Sequence, residues 1–342
     1  MILRLYKPSA AAYTLADFYE TRFRAELDRR RSKPSTVGGY TCTAQLWHDR
    51  HADLGLEAIE ATHLAEFERH LRQQPGRLGQ NLSPATVRKH LANLRAILRH
   101  AAPPDPTNPT GQSLRPPLYF RMPPPPEAAP TGWLDWPAIA DAVIRSRSIT
   151  RPAAALLAPA GRAAWLAALI YTATFTGLRP CALLRLRWSD LRPAIGGGLD
   201  VTIRPENNKR DRGQFHYIHP EAAARLATLR GQLRPAAPYV FADAWPVLAS
   251  PNWRRFSHAR KNVGEALKLT LGPDRTPGNV FRVFRKTHAT ELALISDTAA
   301  KISLGHRDVA ILATHYANRH RLLREAIAAL PSLDDEIRNR EG

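Results

Sequence analysis

The segment from residue 281 to 316 carries the residues best suited to chemistry on a phosphate. It contains Arg282, Arg285, His306 and Tyr316. Two arginines three positions apart lie on one face of a helix, so the RVFR tetrad can direct two guanidinium groups at a single phosphate. His306 follows a Leu-Gly pair that is typical of a helix end, and Tyr316 comes ten residues later. The spacing predicts cationic donors and a hydroxyl nucleophile around one phosphate.

A second phosphate-binding feature lies upstream, in the sequence TGLRP. Gly177 ends one predicted helix, and Pro180 suits the first position of the next. Arg179 is therefore expected at a helix entrance, where backbone N–H groups without intrahelical partners favour an anion. Two alternating runs, LDVTIRP and QFHYIHP, then predict a β-hairpin with Lys209 near its tip.

These residue types fit phosphoryl transfer without a cofactor. A phosphodiester under attack gathers negative charge on its nonbridging oxygens, which fixed cations stabilise. Candidates for this role are Arg179, Arg282, Arg285 and His306. The two cysteines, Cys42 and Cys181, have no metal-type spacing to histidines. We expect neither a metal nor any other cofactor.

The proposed nucleophile needs activation. A tyrosine with an ordinary pKa of about 10 is only about one part in a thousand ionised at pH 7, so Tyr316 requires a base or cationic neighbours. His306 is the candidate helper, and Lys209 could give a proton to the leaving 5′ oxygen. Taken singly, each residue has an ordinary structural reading: a packed tyrosine, a capping histidine, an ion-paired arginine or a solvated lysine. Their joint, ordered occurrence favours function.

Length and charge suggest two folded units that meet a polyanion. The chain has 342 residues, 44% of them hydrophobic, with a net charge of +19 and a pI near 10.7. A merely basic surface is the plainer reading of this charge, and a nucleic acid is the functional one. We expect a helical DNA-binding domain over 1–102, a Pro-rich linker over 103–130, a catalytic domain over 131–330 and a tail over 331–342.

Targeting and membrane segments are not expected. The N-terminus lacks the continuous apolar core of a signal peptide. The most apolar run, 153–175, is interrupted by a proline, a glycine and an arginine, so it reads as a buried helix and not as a membrane span. With so few cysteines, a reducing cytoplasm fits, and the charge suggests association with the nucleoid.

The first predicted domain is all-helical, with starts at Thr14, Ser35, Thr62 and Ser83. The fourth helix has the clearest pattern, since Pro84 suits its first position and an apolar stripe follows with helical spacing. Its other faces carry basic residues that suit either solvent or a DNA groove. These candidate DNA-binding residues are Arg88, Lys89, Arg95 and Arg99.

The order TGLRP, hairpin lysine, FRVFR, LGH and HY resembles the tyrosine recombinases of the phage integrase family. The resemblance implies a mainly α fold with a small antiparallel β-sheet and an N-terminal helical DNA-binding domain. It also implies catalytic roles for Arg179, Lys209, Arg285, His306 and Tyr316. Cleavage would leave a 3′-phosphotyrosine bond, and a homo-tetramer would act on paired sites in double-stranded DNA. Integration or excision of a mobile element is the expected use.

The sequence departs from the family pattern at two positions. Arg282 stands where the family usually has a histidine, which replaces one phosphate donor by another, and Ala182 stands where an acidic residue is usual. A noncatalytic DNA-binding protein derived from the same fold therefore stays an alternative. A type IB topoisomerase, which shares the arginines and the tyrosine, is another.

Overall fold

A computed structural model describes ten segments of the chain. The predicted catalytic residues Lys209, His306 and Tyr316 lie outside these segments. The chain divides into two compact units, residues 1–129 and 130–342, each with its own hydrophobic core. The described residues are 13–76, 79–119, 122–125, 133–150, 159–195, 197–208, 213–233, 236–272, 279–304 and 319–341.

The first unit is built from helices, as the sequence predicts. A π-helical turn, Tyr19–Phe23, joins the first two helices, and a 3-10 turn, Leu56–Ala58, precedes the fourth. The helices are α1 (Leu15–Phe18), α2 (Arg24–Arg29), α3 (Pro34–His51), α4 (Ala61–Gln73) and α5 (Pro84–Ala101).

Two of the four predicted helix starts are confirmed. The Thr14 hydroxyl accepts a hydrogen bond from the backbone N–H of Asp17, and the Asp17 carboxylate reaches back to complete a capping box. Ser83 caps α5 with Pro84 at the first position. The other two starts are wrong by one residue or two, because α3 begins on a proline and α4 is capped by Glu60.

The core of the first unit confirms the apolar stripe of α5. Val87, Leu91, Leu94 and Leu98 are all buried, and α5 packs against both α3 and α4. Fully burying each such side chain contributes about 1.5–3 kcal/mol. A buried polar contact, Thr43 Oγ1 to His90 Nδ1 at 2.9 Å, also joins α3 to α5.

Part of the Pro-rich segment packs onto this first unit. Leu114, Leu118 and Met122 lie against its core. Arg115 is buried and donates from Nη2 to the carbonyl oxygen of Ile59 at 2.8 Å. These contacts hold the described residues after α5 against the helices.

The second unit is mainly helical with one small sheet, which confirms the predicted fold class. Its helices surround a large apolar core, to which most side chains between residues 165 and 175 belong. No described helix is long and apolar enough to cross a membrane. The helices are α6 (Trp136–Ser146), α7 (Pro159–Thr176), α8 (Pro180–Leu184), α9 (Pro220–Gln232), α10 (Trp253–Leu271), α11 (Val280–Ile295), α12 (Asp297–Leu304), α13 (Arg319–Ala328) and α14 (Leu333–Glu341).

The sheet contains the predicted hairpin and one further strand. Its antiparallel order is β1 (Leu191–Pro193), β2 (Leu199–Ile203) and β3 (Gln214–Ile218). The register pairs Val201 with His216 and Ile203 with Gln214. Because side chains alternate along a strand, Gln214 and His216 share one face of β3.

The predicted C-terminal tail contains the helix α14. Leu333 and Ile337 are buried one turn apart in the main core. The Glu221 carboxylate accepts hydrogen bonds from the first two backbone N–H groups of α14, at 2.9 and 3.1 Å. Near the other end, Arg340 makes a two-pronged contact with Asp141 at 2.5 and 2.9 Å. These contacts fix α14 against α6 and α9.

Candidate active site

The turn between α7 and α8 positions Arg179. Gly177 has a φ of +56°, and a Cβ added to it would lie 2.6 Å from Cδ2 of His288. Both the left-handed backbone and the close approach therefore require glycine. Arg179 occupies the N-cap position of α8 with Pro180 next, as the sequence predicts, and its side chain is partly buried.

The side chain of Arg285, on α11, joins two of the sequence motifs. Its Nη1 donates to the carbonyl oxygen of Gly177 at 2.5 Å, and its Nη2 donates to the carbonyl oxygen of Leu304 at 3.0 Å. The first acceptor belongs to TGLRP, and the second belongs to the leucine of LGH. The guanidinium is therefore fixed from two sides before any ligand arrives.

The guanidinium groups of Arg179 and Arg285 lie close enough for their charges to interact. Burial, and secondarily the charge of Arg179, lower the pKa of Arg285 to about 10. Arg285 still carries its charge at neutral pH. Bringing like charges together in a partly buried place costs free energy that a bound anion relieves.

A buried histidine supports the same region. His288 Nδ1 lies 3.0 Å from the carbonyl oxygen of Thr174, and its Nε2 lies 2.7 Å from Oγ of Ser303. A carbonyl only accepts, so Nδ1 carries the hydrogen and Nε2 accepts from the serine hydroxyl. Burial lowers the pKa of His288 to about 3 and keeps it neutral. His288 thus joins the end of α7 to the end of α12.

A small cleft opens beside the two arginines. Its lining combines the two arginines with four polar side chains from the hairpin region and three apolar side chains. Ala182 is buried and lines this cleft. The lining residues are Leu178, Arg179, Ala182, Ile203, Asn207, Asn208, Gln214, His216 and Arg285.

Among the predicted catalytic residues, the fold brings Arg179 and Arg285 together. Arg282 is exposed one turn earlier on α11 and does not line the cleft. The other three, Lys209, His306 and Tyr316, lie outside the described residues. In the sequence, Lys209 directly follows a residue of the cleft wall, and His306 is the second residue after the Leu304 carbonyl.

The described tyrosines of the second unit have structural surroundings. The hydroxyl of Tyr171 donates to Asp334, and the hydroxyl of Tyr217 donates to the carbonyl oxygen of Gly197 at 2.7 Å. Burial raises the pKa of both hydroxyls. None of the described tyrosines lines the cleft. These hydroxyls are therefore poor nucleophiles where they lie.

Comparison with known proteins identifies the fold. Residues 15–105 match the family model of the phage integrase SAM-like domain. The XerH site-specific recombinase bound to difH substrate, in a pre-cleavage complex, is 16% identical with a TM-score of 0.54, covering 93% of this chain and 85% of that one. A lambda integrase(75-356) dimer bound to a COC′ core site is 19% identical with a TM-score of 0.57, covering 87% and 97%. The chain has the tyrosine recombinase fold.

The resemblance seen in the sequence motifs is thereby confirmed for the fold and for the N-terminal domain. No curated protein sequence matches the chain. The described part of the chain contains no group of three or more His, Cys, Asp or Glu side chains that could hold a metal ion.

The predicted DNA-binding residues of α5 differ in their surroundings. Arg88 donates from Nε to the carbonyl oxygen of Pro123 at 3.0 Å, and Arg99 contacts Thr107 and Asp105. Lys89 and Arg95 are exposed. Among the four, the structure leaves these two the most accessible to a partner.

A second basic face of this tyrosine recombinase fold escaped the sequence interpretation. On α10, Arg254, His258 and Lys261 are exposed at spacings of four and three residues, so they share one face. Trp253 precedes them and is 58% exposed. The run WRRFSHARK carried this signal, because its basic residues recur with helical spacing.

Proposed function

We propose that this chain is a site-specific DNA recombinase of the integrase type, which cleaves and rejoins DNA through a 3′-phosphotyrosine at Tyr316. The observation that carries the proposal is the convergence of Arg179 and Arg285 on one cleft. Arg285 is oriented there by two backbone carbonyls, so it needs no reorganisation when charge develops on a phosphate. Preorganised donors of this kind contribute about 3–4 kcal/mol each to lowering a barrier.

The proposed reaction conserves the phosphate ester energy. The Tyr316 oxygen attacks phosphorus and loses its proton, while the bond from phosphorus to the 5′ oxygen breaks and that oxygen gains a proton. His306 is proposed to assist the tyrosine, and Lys209 is proposed to protonate the 5′ oxygen. Arg282 is proposed as a further donor to DNA from its exposed position on α11. The reverse attack by a 5′ hydroxyl rejoins DNA without metal or nucleotide.

The two basic units support a clamp on DNA. We assign DNA binding to residues 1–102 and catalysis to residues 131–330, which carry net charges of +6 and +15. The solved relatives are bound to DNA, and lambda integrase is a dimer on its core site. For this chain, two such dimers on paired sites would give the proposed tetramer. Integration or excision of a mobile element is the proposed use, in the cytoplasm at the nucleoid.

The test is covalent capture. Cells that express the chain are lysed in SDS without a crosslinker, and DNA that stays attached to the protein is sequenced. The wild type is expected to retain DNA at a defined site, and a suicide duplex nicked beside that site should form a stable 3′ adduct that peptide mapping places on Tyr316. Tyr316→Phe removes one oxygen and keeps the ring, so it should bind the duplex but form no adduct.

The other outcomes separate the alternatives. Binding of the duplex without any adduct in the wild type would support a noncatalytic DNA-binding protein. Relaxation of supercoiled DNA without site preference would support a topoisomerase. An adduct on Tyr171, Tyr217 or Tyr239, or undiminished capture by the phenylalanine variant, would refute Tyr316 as the nucleophile.

A further inference from the structure

A buried imidazole in the cleft has no role in the site as described so far. His216 lies on β3 and is 1% exposed, yet it lines the cleft beside Arg179 and Arg285. Its Nδ1 is buried and has no hydrogen-bond partner among the described residues. Leaving a buried polar atom unpaired is unfavourable, so this nitrogen calls for an explanation.

The surroundings of His216 decide what kind of partner it fits. Burial, then the proximity of His288 and Arg285, lower the pKa of His216 to about 3, so the imidazole is neutral at pH 7. A neutral imidazole offers one N–H donor. Two arginines line the same cleft, so its charge favours an anion, and a phosphate oxygen accepts such a hydrogen bond.

Strand geometry makes the position of His216 rigid. Gln214, two residues earlier on the same face of β3, donates from Nε2 to the carbonyl oxygen of Ser303 at 2.9 Å. Ser303 is also the partner of His288. Within the sheet, His216 pairs with Val201 of the neighbouring strand β2, and Val201 is buried. The backbone that carries His216 is therefore fixed to both β2 and the end of α12.

We propose that His216 is a phosphate-binding residue, whose neutral Nδ1–H donates to a nonbridging oxygen of the phosphate held by Arg179 and Arg285. The inference rests on the proposed function, because it assigns a third donor to the same phosphate. It differs from the roles given by the sequence motifs, since His216 lies in the hairpin run QFHYIHP, which predicted a strand and no catalytic residue. A neutral donor adds orientation without adding a third charge to the cleft.

The experiment measures binding of inorganic phosphate to the full chain by NMR of histidine side-chain nitrogens, and so does not depend on cleavage. Comparison with His216→Leu assigns the His216 signals. We expect Nδ1 of His216 to carry the hydrogen and to shift as phosphate is added. The signals of His90, whose Nδ1 is bonded to Thr43 in the other unit, serve as the internal control.

Two variants separate binding from structure. His216→Leu should lower phosphate affinity about tenfold to a hundredfold, the range for losing a hydrogen bond to a charged group. His216→Asn places an amide nitrogen near the position of Nδ1 and should retain affinity within about threefold of the wild type. Thermal unfolding provides the second readout: the leucine variant removes an unpaired polar atom and should melt no lower than the wild type.

Several results would overturn the proposal. These are an unprotonated Nδ1, the absence of any phosphate-dependent shift of the His216 signals, or unchanged affinity in the leucine variant. A leucine variant that loses affinity only together with its fold would also contradict it. If the wild type and His216→Asn bind phosphate but no Tyr316 adduct forms, the proposed function fails while the phosphate site stands.

Discussion

Arg285 donates a hydrogen bond to the carbonyl oxygen of Gly177, 2.5 Å away across 108 residues of sequence. The acceptor belongs to a left-handed turn that only glycine fits easily, and the same turn places Arg179 at the start of α8. One contact thus fixes the relative positions of the two arginines. The orientation of the Arg285 guanidinium therefore depends on contacts with distant segments and not only on the helix that carries it.

The first prediction concerns this contact. Arg285→Ala should lower the rate of adduct formation on a suicide duplex by about a hundredfold to a thousandfold, because one preorganised donor is lost. Arg285→Lys should restore little, since an ammonium cannot reach the Gly177 and Leu304 carbonyls as a guanidinium fork does. The measurement is single-turnover cleavage at saturating protein.

A matched control for this prediction is Arg338→Ala on α14, which removes one exposed cation with a side chain that is 72% exposed. It should leave the cleavage rate unchanged. Parallel losses of binding and cleavage in Arg285→Ala would instead make Arg285 an ordinary contact to DNA.

The second prediction uses two glycines of the same unit. Gly177→Ala should lower stability by at least about 1–2 kcal/mol, because it forces a left-handed alanine against the ring of His288. Gly231→Ala lies in α9 with nothing within 4 Å of the new Cβ and should raise stability by about 0.5–1 kcal/mol. Thermal unfolding of both variants measures the contrast. Equal effects would mean that the turn tolerates a side chain.

Local sequence signals predicted the parts of this site that local chemistry determines. Gly177 and Pro180 mark a helix end and a helix start by their own backbone preferences, and the structure confirms both. The hairpin strands were readable from alternation alone. Each of these features depends on residues adjacent in sequence.

Features that depend on distant partners were not predictable in this way. The hydrogen-bond acceptors of Arg285 are backbone carbonyl oxygens, which every residue has, so the sequence does not indicate which ones are used. The tail helix α14 is polar and short, and its packing depends on Glu221 and Asp141, more than 100 residues away. The role of His216 depends on register, since a shift by one residue would turn it to the other face of β3.

The third prediction concerns pH. His216 and His288 have pKa values near 3 in the folded chain, below the ordinary value of about 6.5. Between those values the unfolded chain binds more protons, so stability should fall as pH decreases from about 6.5. Each group contributes up to about 1.4 kcal/mol per pH unit. Denaturant midpoints from pH 7 to pH 5 measure the slope.

This pH window reports mainly on histidines. The pKa values of His51, His90, His100 and His219 are also lowered by burial and add in the same direction. Hydrogen bonding by Arg29 lowers the pKa of Glu26 to about 2, so that carboxylate loses its contribution only below about pH 4.5. His216→Leu should make the slope shallower, because it removes one of the histidines whose pKa is lowered in the folded chain. An unchanged slope in the leucine variant would place His216 in a solvated setting.

The fourth prediction tests the two basic faces by their salt dependence. The logarithm of DNA affinity should fall linearly with the logarithm of salt concentration, at about −0.9 per phosphate contacted. Arg254→Gln and Lys261→Gln on α10, and Lys89→Gln and Arg95→Gln on α5, should each reduce the steepness by about one such contact. Fluorescence anisotropy with a duplex that contains the captured site measures these slopes.

The internal contacts of α5 allow a sharper comparison. Arg88 donates to the Pro123 carbonyl, so Arg88→Gln should disturb packing of the Pro-rich segment more than the salt slope. Lys89→Gln, one residue away and exposed, should change the slope without changing stability. Limited proteolysis near residues 122–125 reports the first effect and anisotropy reports the second. If Arg88→Gln changed the slope as much as Lys89→Gln and left the proteolysis rate untouched, Arg88 would belong to the DNA-binding face and not to the packing of the segment.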